Sequence, residues 1–273
     1  MAKWWMAACA AMTVAVGCGT SDRGSSVAPK DDAGGIAFIS EDAGSVARVD
    51  ASVDAATETS SAPTDSGYPL ADGGVVAASR FITKVISFLP GDCAGFGIPS
   101  MPGIVMGPPV GTGSDNGSLD VVSLGDGGSI VVSFEPNAIV DGPGPDFIVF
   151  ENPFWIGGNA HDIYAEPGEV SVSDDGVNWT TFPCTATQAS CADGCGTCGG
   201  WQVVYSNPTS GISPLDPTVA GGLALDLAQI GLTHARYVRV VDKSGEMCPS
   251  TDRATTNGFD LDAMAIVNAE IPN

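Results

Sequence analysis

Between residues 79 and 273 no apolar pattern lasts long. Runs of four to nine residues rich in Val, Ile and Phe are cut by Gly, Pro, Asp or Asn, and helical periodicity is scarce. Short β-branched runs with turn residues between them predict strands, and strand after strand with tight turns predicts an antiparallel sandwich or jelly roll. The runs fall near 81–89, 119–124, 129–134, 146–151, 169–173, 178–183, 202–205, 235–241 and 259–267. "LGDGGS" (124–129) and "SDDGVN" (173–178) supply the Gly and Asp that hairpins place at positive φ. "LALDLAQIG" (223–231) reads either as one helical turn or as a short strand. At 195 residues, this region is long enough to bury one good core.

The chain before residue 79 has a different character. "MAKWWMAACAAMTVAVGC" opens with one cation, Lys3, then an apolar run too short to span a bilayer. Its close, Ala15-Val16-Gly17-Cys18, resembles the bacterial lipobox. That resemblance implies a signal peptide over 1–17, acylation at Cys18 and an exported protein held by lipid to a membrane, at the outer membrane or cell surface. Residues 18–78 are rich in Ala, Ser, Asp, Gly and Thr and nearly lack aromatics, so little apolar surface offsets the entropy of ordering them. They read as a flexible acidic linker, with the β-domain over 79–273.

Charge and cysteine usage fit export. Without residues 1–17 the chain carries nine basic and 32 acidic residues, a net charge of −23. Such a surface repels phosphate backbones and excludes nucleic acid as a partner, while it suits cations. No Gly-rich phosphate cradle precedes a helix, so nucleotide is excluded as well. Past Cys18 stand six cysteines, Cys93, Cys184, Cys191, Cys195, Cys198 and Cys248. In an oxidising compartment they predict three disulfides, with fifteen pairings left open. A zinc site at "CADGCGTC" (191–198) is the weaker reading, because no second Cys-x-x-Cys follows.

"EVSVSDDGVNWTTF" (169–182), "ARYVRVVD" (235–242) and "NGFDLDAMAIV" (257–267) together resemble the discoidin-like, galactose-binding-like β-sandwich domains. The stretch from "VSLGDGGSIVVSF" through "GPDFIVFEN" also looks like domains of exported bacterial surface proteins. The resemblance implies glycans or other surface ligands bound through loops at one end of the sandwich, and a structural calcium ion. In the hairpin, alternation places Val172 and Trp179 on the core face. A sialidase Asp-box fits this hairpin less well, since a propeller would need several copies.

"DGPGPDFIVFENPF" (141–154) rings one apolar run with oxygen ligands. Calcium takes six to eight oxygens, and carboxylates on loops suit it. Asp141 and Asp146 precede the run and Glu151 and Asn152 follow it; Asp260 and Asp262, two apart in "GFDLD", share one strand face and repel unless something compensates them. If the two segments are neighbours, Asp146, Glu151, Asn152, Asp260 and Asp262 become a calcium set. The alternative is solvated charge at strand ends.

Ligand contacts fall to Phe154, Trp155 and Trp201 as an aromatic platform and to Arg239 as a contact for a hydroxyl or carboxylate, with Arg236 and Val238 facing the opposite side from Arg239. Catalysis finds little support. His161 and His234 are the two histidines, and neither a Gly-x-Ser-x-Gly elbow nor His-Glu-x-x-His occurs. The sequence therefore favours a non-enzymatic surface-binding lipoprotein that recognises a glycan or another surface component. A polysaccharide hydrolase with facing carboxylates, or a structural module of the envelope with a broad apolar patch, are the alternatives.

Overall fold

A computed structural model of the protein describes residues 67–69, 73–184, 196–245 and 257–272. The predicted signal peptide, Cys18 and nearly all of the acidic linker lie outside them, as do Cys191, Cys195 and Cys248. The strands are β1 (Tyr68–Pro69), β2 (Val75–Val76), β3 (Lys84–Leu89), β4 (Val122–Ser123), β5 (Ser129–Ser133) and β6 (Ala138–Val140). They continue with β7 (Phe147–Phe150), β8 (Phe154–Trp155), β9 (Ile163–Tyr164), β10 (Gly168–Ser173), β11 (Thr180–Thr181) and β12 (Leu223–Leu225). The last are β13 (His234–Ala235), β14 (Tyr237–Asp242), β15 (Asp260–Leu261), β16 (Ala263–Ile266) and β17 (Ala269–Glu270). Every pairing is antiparallel. The chain is all-β, as its patterning predicts, and no helix among the described residues is long and apolar enough to cross a membrane.

Two sheets face each other across the main core. The larger runs β11-β10-β14-β5-β3 and the smaller β12-β7-β16. In β14, Val238, Val240 and Asp242 are buried while Tyr237, Arg239 and Val241 are half-buried, the period-two pattern of a sheet with one covered face. Ile130 and Val132 of β5 and Val170 and Val172 of β10 join Val238 and Val240. From the other sheet come Phe147, Val149, Leu223, Leu225, Met264 and Ile266, in the same cluster. Each of these side chains contributes roughly 1.5–3 kcal/mol by leaving water. A bulge in β3 between Val85 and Ser87 keeps both Val85 and Phe88 packed on this core.

The smaller sheet is buried on both faces. All four residues of β7 (FIVF) and of β16 (AMAI) are inaccessible, which explains their unbroken apolar runs. Ile148, Phe150, Ala263 and Ala265 point away from the main core into a second cluster with Phe81, Val204 and Ala220. Tyr68 meets Phe81 edge-on at 5.1 Å, so the β1–β2 hairpin, within the stretch read as linker, packs on this second cluster.

Some strands are shorter than the sequence suggests. Positions 202–205 keep only an isolated bridge from Val204 to Gly221. "LALDLAQIG" divides into β12 and a single 3-10 turn, Leu227–Ile230, capped by Asp226 through Ala228 N. Cys184 is bonded to Cys198, and Cys93 is also in a disulfide.

Candidate functional site: a carboxylate-floored cleft

Strand β7 ends where its backbone must change partners. Asp262 N donates to Phe150 O at 3.0 Å, and the chain then passes through Glu151-Asn152-Pro153 to β8. Opposite, the segment predicted as one strand over 259–267 breaks at Asp262: β15 pairs with β4 and β16 with β7. Gly258 makes the approach, with φ of 77° and an added Cβ falling 2.6 Å from Gly125 O. The break gives Asp260 and Asp262 different surroundings. Asp260 is hydrogen-bonded by Ser123 Oγ, whereas both oxygens of Asp262 accept from Val110 N, at 3.2 and 3.0 Å.

Asp260, Glu151 and Asn152 come together, joined by Glu166. Glu151 is 2% exposed and Glu166 1% exposed. Burial pushes the Glu151 carboxyl well above its usual range, and the charges of Asp260 and Glu166 push the same way. The backbone N–H groups of Asp260 and Asn152 oppose this, yet Glu151 Oε2 is buried with no hydrogen-bond partner. Asp260 is raised to about 6, first by burial and also by Asp242, against the hydrogen bonds of Ser123 and Asn152. Among the described residues no positive charge offsets either carboxyl. The ion pairs among the described residues engage Glu135, Glu169, Asp174 and Glu270 instead.

A cleft of about 270 Å3 opens over this group. Asn152, Glu166 and Asp260 line its floor, with Ser118 beside them. Phe154 and Tyr164 from the β8–β9 hairpin form a wall, stacked at 5.1 Å with ring planes 19° apart. Leu119, 81% exposed, stands at the mouth. On its other side Glu151 meets Gly111, Gly113 and Pro153 across a crevice too narrow for water.

Asp146 is not part of this set. It precedes β7 while Glu151 follows it, about 16 Å away along an extended strand. With Asp141 and Asp226 it forms the tightest carboxylate group among the described residues, oxygens within 4.8 Å of one another. That proximity is already explained by hydrogen bonds. Asp146 Oδ1 accepts from Gly142 N and Asn268 Nδ2, both at 2.8 Å, and Oδ2 accepts from Leu227 N at 2.8 Å. Asp226 caps its turn and Asp141 is exposed. Glu151, Glu166 and Asp260 are spaced more loosely, but Glu151 keeps an oxygen with no donor, and need for a ligand follows missing donors more closely than spacing.

The aromatic candidates separate. Phe154 lines the cleft; Trp155 is half-buried beside it, its backbone N–H donating to Ser114 O at 2.7 Å; Trp201 is buried at 8% exposure with Nε1 unpartnered. Arg239 and Trp179 lie elsewhere, on the outer face of the larger sheet. Trp179 was expected in the core, but the register Val172↔Thr180 puts it on the side of Ser171 and Ser173. His161 is exposed, and His234 bridges Asp174 at 2.7 Å and Glu270 at 3.2 Å. Glu166, Ser118 and Tyr164 escaped the sequence reading. "YAEPGEV" carries no spacing signal, and Glu166, between β9 and β10, meets the field of Glu151 only in the folded chain.

Buried carboxylates grouped around an oxygen without a donor can hold a hard cation, which takes oxygen ligands from such a set, or can hold protons. Compared with known proteins, the chain matches no family model and no curated protein.

Proposed function

We propose that this protein is a lipid-anchored binding protein of the cell surface, with a galactose-binding-like sandwich that uses calcium in the carboxylate-floored cleft to bind a glycan without chemical turnover. One observation carries the reading. Glu151, Glu166 and Asp260 are buried together, Glu151 Oε2 has no hydrogen-bond donor, and no cation among the described residues offsets Glu151 or Asp260. Three buried acids in contact with one another's fields are costly unless protonated or joined by a metal. Glu151, Glu166 and Asp260 would hold the ion, with Asn152 and Ser118 beside it. Calcium supplies charge neutralisation there and open coordination positions for sugar hydroxyls. The Phe154–Tyr164 stack offers an apolar wall for a sugar ring, and the acidic composition and lipobox-like start suit a surface location.

The test is thermal unfolding of the full chain in chelator and with calcium at about 100 times its dissociation constant. Such a concentration stabilises by about 2.7 kcal/mol, which for a domain of this size raises the midpoint by roughly 5–10 °C. The rise should vanish in Glu151→Gln and Asp260→Asn and persist in Asp226→Asn. A rise retained in Asp260→Asn sinks the site, and no rise in the unaltered chain sinks the calcium. Glycan binding in the cleft should then need both calcium and Phe154.

The raised carboxyls of Glu151 and Asp260 beside a cleft also suit the general acid of a polysaccharide hydrolase. Release of reducing sugar from a glycan that the protein binds, lost in Asp260→Asn, would select that second reading.

A further inference from the structure

The outer face of the larger sheet poses a separate problem of charge. Five basic residues are described, in a chain with 32 acidic ones. Lys84, Arg236 and Lys243 pair with Glu135, Asp174 and Glu169, and Arg80 donates to Val267 O at 3.0 Å. Arg239 alone among them has no carboxylate and no carbonyl. Its guanidinium lies 4.6 Å from the ring centre of Trp179, Nη2 reaches Ser171 Oγ at 3.4 Å, and Nε is buried without a partner. A half-buried arginine left unpaired amid so many acids points to a missing anion.

The surroundings of Arg239 are built rather than incidental. Trp179 follows the turn over 173–178, which Asp175 organises: Oδ1 accepts from Val177 N at 2.8 Å and Asn178 N at 2.7 Å, and Oδ2 accepts from Asn178 Nδ2 at 2.7 Å. Gly176, at φ 72°, lets the turn close. The ring therefore reaches Arg239 already held in place, and stacking leaves the edge of the planar guanidinium fork free to meet a carboxylate. Across the sheet, registers align Thr181, Ser171, Arg239, Val131 and Ser87 in one row on this face. Thr181 and Ser87 are exposed at its ends. Four strand spacings make the row about 19 Å long, with the cation at its middle.

We propose that this face is a second binding site, for a carboxylate-bearing oligosaccharide, in which Arg239 stacked on Trp179 takes the carboxylate and the hydroxyls of Thr181 and Ser87 meet those of the flanking sugars. A sugar acid places hydroxyls on both sides of its carboxylate, as the row does around its arginine. An acidic peptide would use the cation and leave the hydroxyl ends idle. The net charge of the protein repels polyanions at long range, so recognition depends on contacts within about 8 Å at physiological salt.

Calorimetric titration of the full chain with a short oligogalacturonate tests the site, at 0.15 M salt and in chelator so that no cleft-bound cation contributes. Saturable binding is expected, with none for a neutral gluco-oligosaccharide of equal length. Arg239→Gln and Trp179→Ala should each weaken it at least tenfold, and Asp260→Asn should leave it unchanged. Should Arg239→Gln fail to fold, Arg239→Lys, which keeps the charge without the planar fork, and Thr181→Val should still weaken it several-fold. Absence of saturable binding overturns the proposal, as do equal binding of the neutral oligomer and loss of binding in Asp260→Asn. Equal affinity for an oligoglutamate of matched charge overturns the sugar assignment and makes this a peptide site.

Discussion

At one end of β7, Asp146 receives hydrogen bonds from Gly142, Leu227 and Asn268; at the other, Glu151 keeps one buried oxygen with no donor. Both residues are nearly inaccessible and both flank the same four-residue strand. Their difference lies in what the neighbouring chain offers. The turn after β12 and the Gly142 loop point N–H groups at Asp146, so its charge ties three segments together. Around Glu151 the neighbours are acids, and the same charge becomes a liability unless a cation joins them. A buried carboxylate can thus be a structural fastener or an uncompensated charge, and the count of donors decides which.

Substitution at the fastener should have the largest effect. Asp146→Ala strands Gly142 N, Leu227 N and Asn268 Nδ2, each costing about 1–3 kcal/mol, so urea unfolding should show a loss of at least about 3 kcal/mol or no folded protein. A loss below 1 kcal/mol would erase the contrast. Next comes pH. In chelator, Asp260 titrates near 6 folded and near 3.9 unfolded. Its protonated form is the one the fold prefers, so its contribution is complete below pH 4 and is lost as pH rises through 6, by about 3 kcal/mol at 1.36 per tenfold change in proton affinity. Glu151 and Asp262 shift in the same direction. Denaturant midpoints from pH 4 to 7 should therefore fall in chelator and fall less in calcium, which would offset Glu151 and Asp260 but not Asp262. Asp175, in the hairpin turn, has the opposite sign: its carboxyl is held low by Asn178 and Val177, and its support is lost only as pH falls below the ordinary carboxylate range.

The smallest effect is the most diagnostic. Glu151→Gln removes an uncompensated charge, so the calcium-free protein should be stabilised by about 1 kcal/mol while its calcium response disappears. At Asp146 the matching change, Asp146→Asn, should destabilise, because an amide cannot accept all three bonds. Equal signs at the two ends would mean that their environments do not differ as described.

How far the sequence could foresee this differs by level. Alternation in "YVRVVD" and unbroken runs in "FIVF" and "AMAI" identify one-sided and two-sided burial, because side-chain period and solvent exposure are local. Grouping Glu151 and Asn152 with Asp260 was legible from "FEN" and "GFDLD". Excluding Asp146 and Asp262 was not, since that depends on which backbone N–H groups arrive from Leu227 and Val110, far along the chain. Glu166 was invisible for the same reason. Trp179 was misplaced by one position of register, which in a strand reverses the face.

The Cys184–Cys198 bond has a consequence for resistance to proteolysis. A protease that cuts once between these cysteines does not divide the molecule, because the two pieces remain covalently joined. The pieces are also interleaved: β14, from after the cut, sits between β10 and β5, from before it, and β7 sits between β12 and β16. A nicked molecule would migrate as one species without reductant and as two with it. Cut at that place, the chain would keep its strands in register.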